Sequence, residues 1–228
     1  VPDEHRGGAI FDVDGTLLDT NYLHVAAWWE AFRERGHDVR CADIHRAIGM
    51  GSAELVERVL GKPDPSVSPA HSRHYAPYLG RIRPLPGAAA LLRATARLGL
   101  DVVLASSAKD DEIDLMMAAL GAGDAVSAVI SSGAVDRAKP DPGIVQKALD
   151  ESGLDPLRTV MIGDTVWDVL AAERAGIRCI GLLCGGIAEE QLRDAGAAEV
   201  FSDPAALLAA LPASLAGQLA PAPERHRG

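Results

Sequence analysis

Carboxylates at the ends of apolar segments are the residues of this sequence best placed to do chemistry. Asp12 and Asp14 stand two apart in Phe11-Asp12-Val13-Asp14-Gly15-Thr16-Leu17, at the end of the apolar run 9–13. In extended chain, residues two apart project from one face, so both carboxylates can serve one centre, and Gly15 allows a sharp exit. Carboxylate pairs at strand ends are common, but the full D-x-D-G-T-L string behind an apolar strand is far more specific. Gly163-Asp164-Thr165-Val166-Trp167-Asp168 follows a second apolar run, 159–162, and offers a third and fourth carboxylate. Taken singly, Asp164 reads equally well as a turn aspartate, and Asp168 as an acid favoured by a helix N-terminus. Taken with the first pair, they suggest carboxylates facing one cation. Mg²⁺ takes hard oxygen ligands in octahedral geometry, and Asp12, Asp14 and Asp164 meet that need.

Two further positions complete the set. Ser106 follows the apolar run 101–105, with Ser107 and Lys109 just beyond. A hydroxyl there can hold a phosphate oxygen, or it can simply be a turn or helix-capping serine. Lys139 precedes Pro140, which holds it out of helix; it is either a phosphate-binding lysine or an ordinary surface lysine.

These residues need a scaffold that brings them together. The runs 9–13, 101–105, 128–131, 159–162 and 177–183 are short and rich in Val, Ile and Leu, as suits parallel strands covered on both faces. Helical patterns at 87–98, 111–120, 142–152 and 167–175 separate them, each followed by a glycine. Strand and helix in alternation imply right-handed crossovers and a doubly wound, Rossmann-like α/β core. The strand-end residues would then share the edge where open parallel sheets bind ligands. Residues 20–83 break the rhythm and carry only helical patterns, at 22–35, 42–48, 52–60, and from Ser68 with Pro69 in first place to about 82. The expected division is a core of 1–19 and 84–215 with an inserted helical domain at 20–83. The Ala- and Pro-rich end, 216–228, is expected to be poorly ordered.

Composition narrows the function classes. The chain has 228 residues, 48% of them apolar, and a net charge of −10. That charge argues against a nucleic-acid binder, and no apolar run is long enough to span a bilayer. Cys41, Cys179 and Cys184 form no C-x-x-C pair and read as free thiols of a reducing compartment. The expectation is a cytoplasmic protein.

The four motifs, in order, resemble those of the haloacid dehalogenase-like superfamily: Asp12-Val13-Asp14-Gly15-Thr16, Ser106, Lys139-Pro140 and Gly163-Asp164-x-x-x-Asp168. The helical insert is similar to that family's C1 cap, and Ile48-Gly49-Met50-Gly51 looks like the cap of its phosphoglycolate phosphatase-like members. The resemblance implies a Mg²⁺-dependent phosphatase in which Asp12 is a covalent nucleophile and Asp14 the acid and base. It implies that Thr16, Ser106, Ser107 and Lys139 bind phosphate. The metal would be held by Asp12, the main-chain carbonyl of Asp14 and Asp164, with Asp168 acting through water. The implied partner is a small phosphorylated metabolite, and the protein a monomer or homodimer.

Three alternatives remain open. A haloacid dehalogenase needs no acid for a departing halide, so Asp14 disfavours it. A phosphosugar mutase is closer, though its members often carry Glu-Asp where this chain has Gly163-Asp164. A phospho-accepting regulatory module lacks both the insert and the second aspartate. Selectivity is expected from the insert: Asn21, His24 and Trp28 on its first helix, then Arg46 and the stretch from Gly49 to Ser52. Trp28 also reads as core within the insert, and Arg46 as a solvated surface residue.

Overall fold

The computed structural model describes residues 6–108, 110–131 and 138–221. β1 (Arg6–Phe11) leads into α1 (Asn21–Glu34), α2 (Cys41–His45), α3 (Ser52–Leu60) and α4 (Val67–Tyr75), then a 3-10 turn at Ala76–Arg81. Helix and strand alternate after that: α5 (Ala88–Arg97), β2 (Asp101–Ala105), α6 (Asp110–Leu120), β3 (Ala128–Ile130), α7 (Gly143–Ser152) and β4 (Leu154–Gly163). They are followed by α8 (Val166–Arg174), β5 (Arg178–Leu182), α9 (Glu189–Asp194), β6 (Glu199–Phe201), α10 (Pro204–Ala210) and α11 (Leu215–Gln218).

The six strands form one parallel sheet in the order β3-β2-β1-β4-β5-β6. Neighbouring residues of a strand face opposite layers, which is why the strands are apolar throughout. Phe11, Leu104 and Ile162 enter one buried cluster, and Ile10, Val103 and Met161 the other. The direction of winding reverses between β1 and β4, so their carboxyl ends open the crevice where such sheets bind ligands.

The helices from α1 to α4 pack around a cluster of their own that includes Trp28, Phe32, Ile44, Leu55 and Val67. The connectors into and out of this segment run side by side. Asp19 N donates to Arg83 O at 3.0 Å, and Leu85 N to Leu17 O at 2.9 Å. The segment is thus anchored beside the end of β1 and lies over the crevice. Among the described residues no helix is long and apolar enough to cross a membrane.

Four details depart from expectation. β4 starts at Leu154 rather than 159, because Leu154 pairs with Arg6 before a register shift resumes the ladder at Gly8 and Thr159. β6 had no strand signal: it is three half-buried residues on the sheet edge, too short to show a pattern. α4 begins at Val67, two residues before Pro69, because Asp64 accepts from both the amide and the hydroxyl of Ser66 and starts the turn early. Pro is tolerated there because first-turn amides have no partner within the helix. The chain end is also ordered further than expected. Ala216 is 1% exposed within the core, Leu219 packs against it, and the Ser214 hydroxyl caps α11. Residues 222–228 lie outside the described part.

Candidate active site

Asp12 is the first residue past β1, and its amide still donates to Ile162 O of β4 at 2.9 Å. That bond carries the β1–β4 pairing one residue further and sets Asp12 beside the loop that begins with Asp164. Lys139, 1% exposed, reaches in from the other side. Its Nζ donates to Asp12 Oδ1 at 2.5 Å and stands 2.7 Å from Asp168 Oδ1. Asp168 also serves the start of its own helix. Its other oxygen accepts from Thr165 N at 3.0 Å and Thr165 Oγ1 at 2.7 Å, closing a capping box on α8.

Asp164 is fully buried. Its Oδ1 accepts from Thr16 Oγ1 at 2.8 Å, and its Oδ2 from Asn21 Nδ2 at 2.7 Å. Glycine is required around it: a Cβ on Gly185 would overlap Asp164 Oδ2, and one on Gly15 would overlap the Asn21 amide. Carboxylate oxygens of Asp12, Asp164 and Asp168 lie within 4.8 Å of one another.

Three buried carboxylates therefore face a single buried ammonium. Burial lifts the Asp12 pKa from 3.8 to about 7 against the pull of Lys139, and the Asp168 charge adds to the rise. Burial, then the charges of Asp12 and Asp168, push Asp164 well above the usual carboxylate range. For Lys139 burial works against the charge, yet Asp12 and Asp168 raise its pKa above that of an ordinary lysine. With all three ionised the surplus would be two negative charges in a buried site, a cost that protonation relieves in the metal-free protein and that a bound cation would relieve instead. The hard-oxygen donor set and this surplus both fit a divalent cation.

Asp14 has a different environment. Thr20 Oγ1 donates to its Oδ1 at 2.6 Å, and His24 Nε2 lies 3.3 Å from the same oxygen. Burial alone would raise Asp14, but His24 in charge and hydrogen bond, with Thr20 and Lys139, holds it below the usual value. Its carboxylate belongs with these partners and not with the other three.

Asp12 and Asp14 open into one half-enclosed cavity of ≈ 80 Å³. His24, Trp28, Gly49 and Ser52 line it, with Ser107 on the sheet side. Trp28 also belongs to the helical core, as one of its two readings had it. Gly49, at φ +94°, sits so close to α8 that a Cβ would meet Thr165 Oγ1 at 2.7 Å. Ser106 is fully buried, and its Oγ accepts from Ala108 N at 3.0 Å. Thr16 is buried on Asp164, away from the cavity wall, as is Asn21. Arg46 points to solvent and pairs with Asp43 at 2.7 Å. Lys109 lies outside the described residues.

Several residues of the site went unnoticed in the sequence. Thr20 holds Asp14, and its only signal was its place in the exit turn. His71 lies 3.2 Å from His24 Nδ1 and stacks on Trp28 at 4.0 Å, while Tyr75 stacks on His24 at 3.9 Å. Glu112 and Leu55 also line the cavity.

A phosphoglycolate phosphatase of Rhodospirillum rubrum is 28% identical over 214 residues, which is 87% of this chain and 88% of that protein. One from Caulobacter vibrioides is 31% identical over 201 residues, covering 82% of this chain and 83% of that one. The crystal structure of a hydrolase from Pseudomonas syringae superposes with a TM-score of 0.85 at 33% identity, over 91% of this chain and 99% of that chain. The model of the haloacid dehalogenase-like hydrolase family matches residues 7–176, well over half of the sequence. The chain belongs to the haloacid dehalogenase-like hydrolases.

Proposed function

We propose that the protein is a Mg²⁺-dependent phosphatase that hydrolyses a small phosphomonoester through an aspartyl-phosphate on Asp12. The observation that carries this reading is a pair of carboxylates in one cavity with opposite environments. Asp12 is locked by Lys139 among buried acids, and Asp14 is held in ionised form by Thr20 and His24. The roles are divided by these different partners: a cation beside Asp12 would restore the ionised form that a nucleophile needs, while Asp14 stands apart with His24 and Thr20.

In this reading Asp12 attacks phosphorus and the bond from phosphorus to the leaving oxygen breaks. Asp14, ionised in the free site, takes up a proton from solvent as the approaching phosphate raises its pKa, and delivers it to that oxygen. Water then attacks the aspartyl-phosphate, Asp14 takes its proton, and phosphate departs from Asp12. Ser107 in the cavity wall, Ser106 behind it and Lys139 position phosphate oxygens. Asp12, Asp164 and the main-chain carbonyl of Asp14 would hold Mg²⁺, with Asp168 acting through water. When bound, the ion supplies the positive charge that offsets repulsion between Asp12 and the phosphate.

Size supports a small substrate. A water needs about 10–15 Å³ of such space, so the ≈ 80 Å³ of this half-enclosed cavity accommodates a phosphate group and a few atoms more. Phosphoglycolate, the compound in the names of two relatives, is of that scale. The test is free-phosphate release from a panel of small phosphomonoesters, with and without chelator. Release should stop in chelator, return with Mg²⁺, and be lost in Asp12→Asn. Turnover that persists without metal, or a sugar-phosphate isomer formed without free phosphate, would overturn the reading.

A further inference from the structure

Asn21 is the first residue of α1, 3% exposed, and it belongs to the helical segment rather than to the sheet. Its side chain nevertheless reaches the acidic cluster. Nδ2 donates to Asp164 Oδ2 at 2.7 Å and stands 3.3 Å from Gly185 O. This orientation of the amide is dictated by its partners, since both are acceptors and the reverse orientation would set oxygen against oxygen. The other end of the amide, Oδ1, is buried and has no hydrogen-bond partner. A buried carbonyl oxygen without a donor costs about 1–3 kcal/mol, and such groups in folded proteins call for an explanation. It lies one amide width from Asp164, beside the cluster of Asp12, Asp164 and Asp168. Its nearest neighbours, Asp164 Oδ2 and Gly185 O, are held as acceptors by Nδ2 and give it no hydrogen.

We propose that Asn21 is a positioning residue of the cation centre. Its amide hydrogen fixes the rotamer of Asp164, and its amide oxygen accepts from water that a hydrated cation brings into the pocket. Mg²⁺ keeps several of its waters when bound by carboxylates, so such a donor is supplied by the ion's own chemistry. The contact also joins two parts of the fold. Gly185 O, which receives the Asn21 amide, is met by His45 Nε2 of α2 at 2.9 Å, and Tyr22 stacks on His45 at 5.1 Å. Three residues from α1 and α2 therefore grip the loop after β5. Cation affinity and the docking of α1 on the sheet edge are linked through one side chain, and by reciprocity each strengthens the other.

The inference rests on the reading of the acidic cluster as a Mg²⁺ centre, and the experiment separates the two. Mg²⁺ binding is measured by titration calorimetry on the whole protein without substrate, for the parent, Asn21→Ala and Asn21→Ser. Circular dichroism establishes that each variant is folded. The expected result is a 10- to 100-fold weaker Mg²⁺ affinity in both variants, the range for loss of a residue that orients a metal ligand. Hydrogen exchange is the second readout: Mg²⁺ should slow exchange in 21–25 and 183–186 of the parent and do so much less in the variants. If Asn21→Ala does not fold, Asn21→Ser decides on the same criteria. A parent that binds no Mg²⁺ overturns the metal centre itself. A parent that binds, with a folded variant of unchanged affinity, overturns the role of Asn21 alone.

Discussion

Replacing Asp12 by Asn should make the metal-free protein more stable while abolishing its turnover. Asp12 titrates near 7 in the folded protein, chiefly through burial, against 3.8 in unfolded chain. Because the folded-state value is the higher one, the native protein binds more protons between those limits. The stability tied to this group is therefore fully present below about pH 4 and is lost as pH rises through 7. At 1.36 kcal/mol per unit, the cost at pH 8 is about 4 kcal/mol as an upper figure. Asparagine resembles the protonated acid and escapes that cost. Lys139 is not stranded by the change, since Asp168 Oδ1 remains 2.7 Å away. For a chain of this length, about 2–4 °C per kcal/mol predicts a Tm gain of up to about 8–16 °C at pH 8, shrinking to near zero by pH 4. Saturating Mg²⁺ should narrow the pH 8 gap by stabilising the parent more than the variant. The assay is thermal unfolding of both proteins in chelator and in Mg²⁺ at the two pH values. A parent more stable than the variant at pH 8 in chelator, or a gap that is the same at both pH values, would refute the argument from surplus charge.

His24→Ala removes a partner of Asp14 Oδ1 and should lower kcat about 100-fold, the low end for general acid–base catalysis, with little change in Tm; steady-state kinetics with calorimetry would check it, and an unchanged kcat would remove His24 from the mechanism. Gly49→Ala places a methyl group 2.7 Å from Thr165 Oγ1 at a φ of +94°, so it should push the helical segment off α8 and cut kcat/KM about tenfold or more. A parental rate would show that this contact yields without cost. Thr165→Val deletes the hydroxyl of the α8 capping box and should cost about 1 kcal/mol, or about 2–4 °C in Tm, in thermal unfolding.

Much of the sheet was legible because each strand announces itself locally. Residues such as those of Asp101–Ala105 are buried on both faces, so burial and β-propensity act on the same few neighbours in sequence. The same holds for the chemistry at strand ends. Asp12, Asp14, Asp164 and Asp168 stand at fixed offsets from apolar runs, and parallel strands place those offsets along one edge. β6, whose pattern is three residues long, and the ordered end around Ala216 were lost because their order comes from what they pack against.

What the sequence determined by itself was the carboxylates and lysine of the candidate centre and the sheet edge to which they belong. What only the tertiary structure decided was which partner each part meets. Lys139 reaches Asp12 across 127 residues, and Asn21 reaches Asp164 across 143. His24 and His71 belong to helices that meet only because their apolar faces share one core, 47 residues apart. Asn21 and His71 look like ordinary polar residues of amphipathic helices, and Arg46 looked no different from them. Periodicity tells which face of a helix is buried, but it does not say what lies on the other side. That is set by the winding of the sheet and by the two paired connectors that fold α1 back over the end of β1.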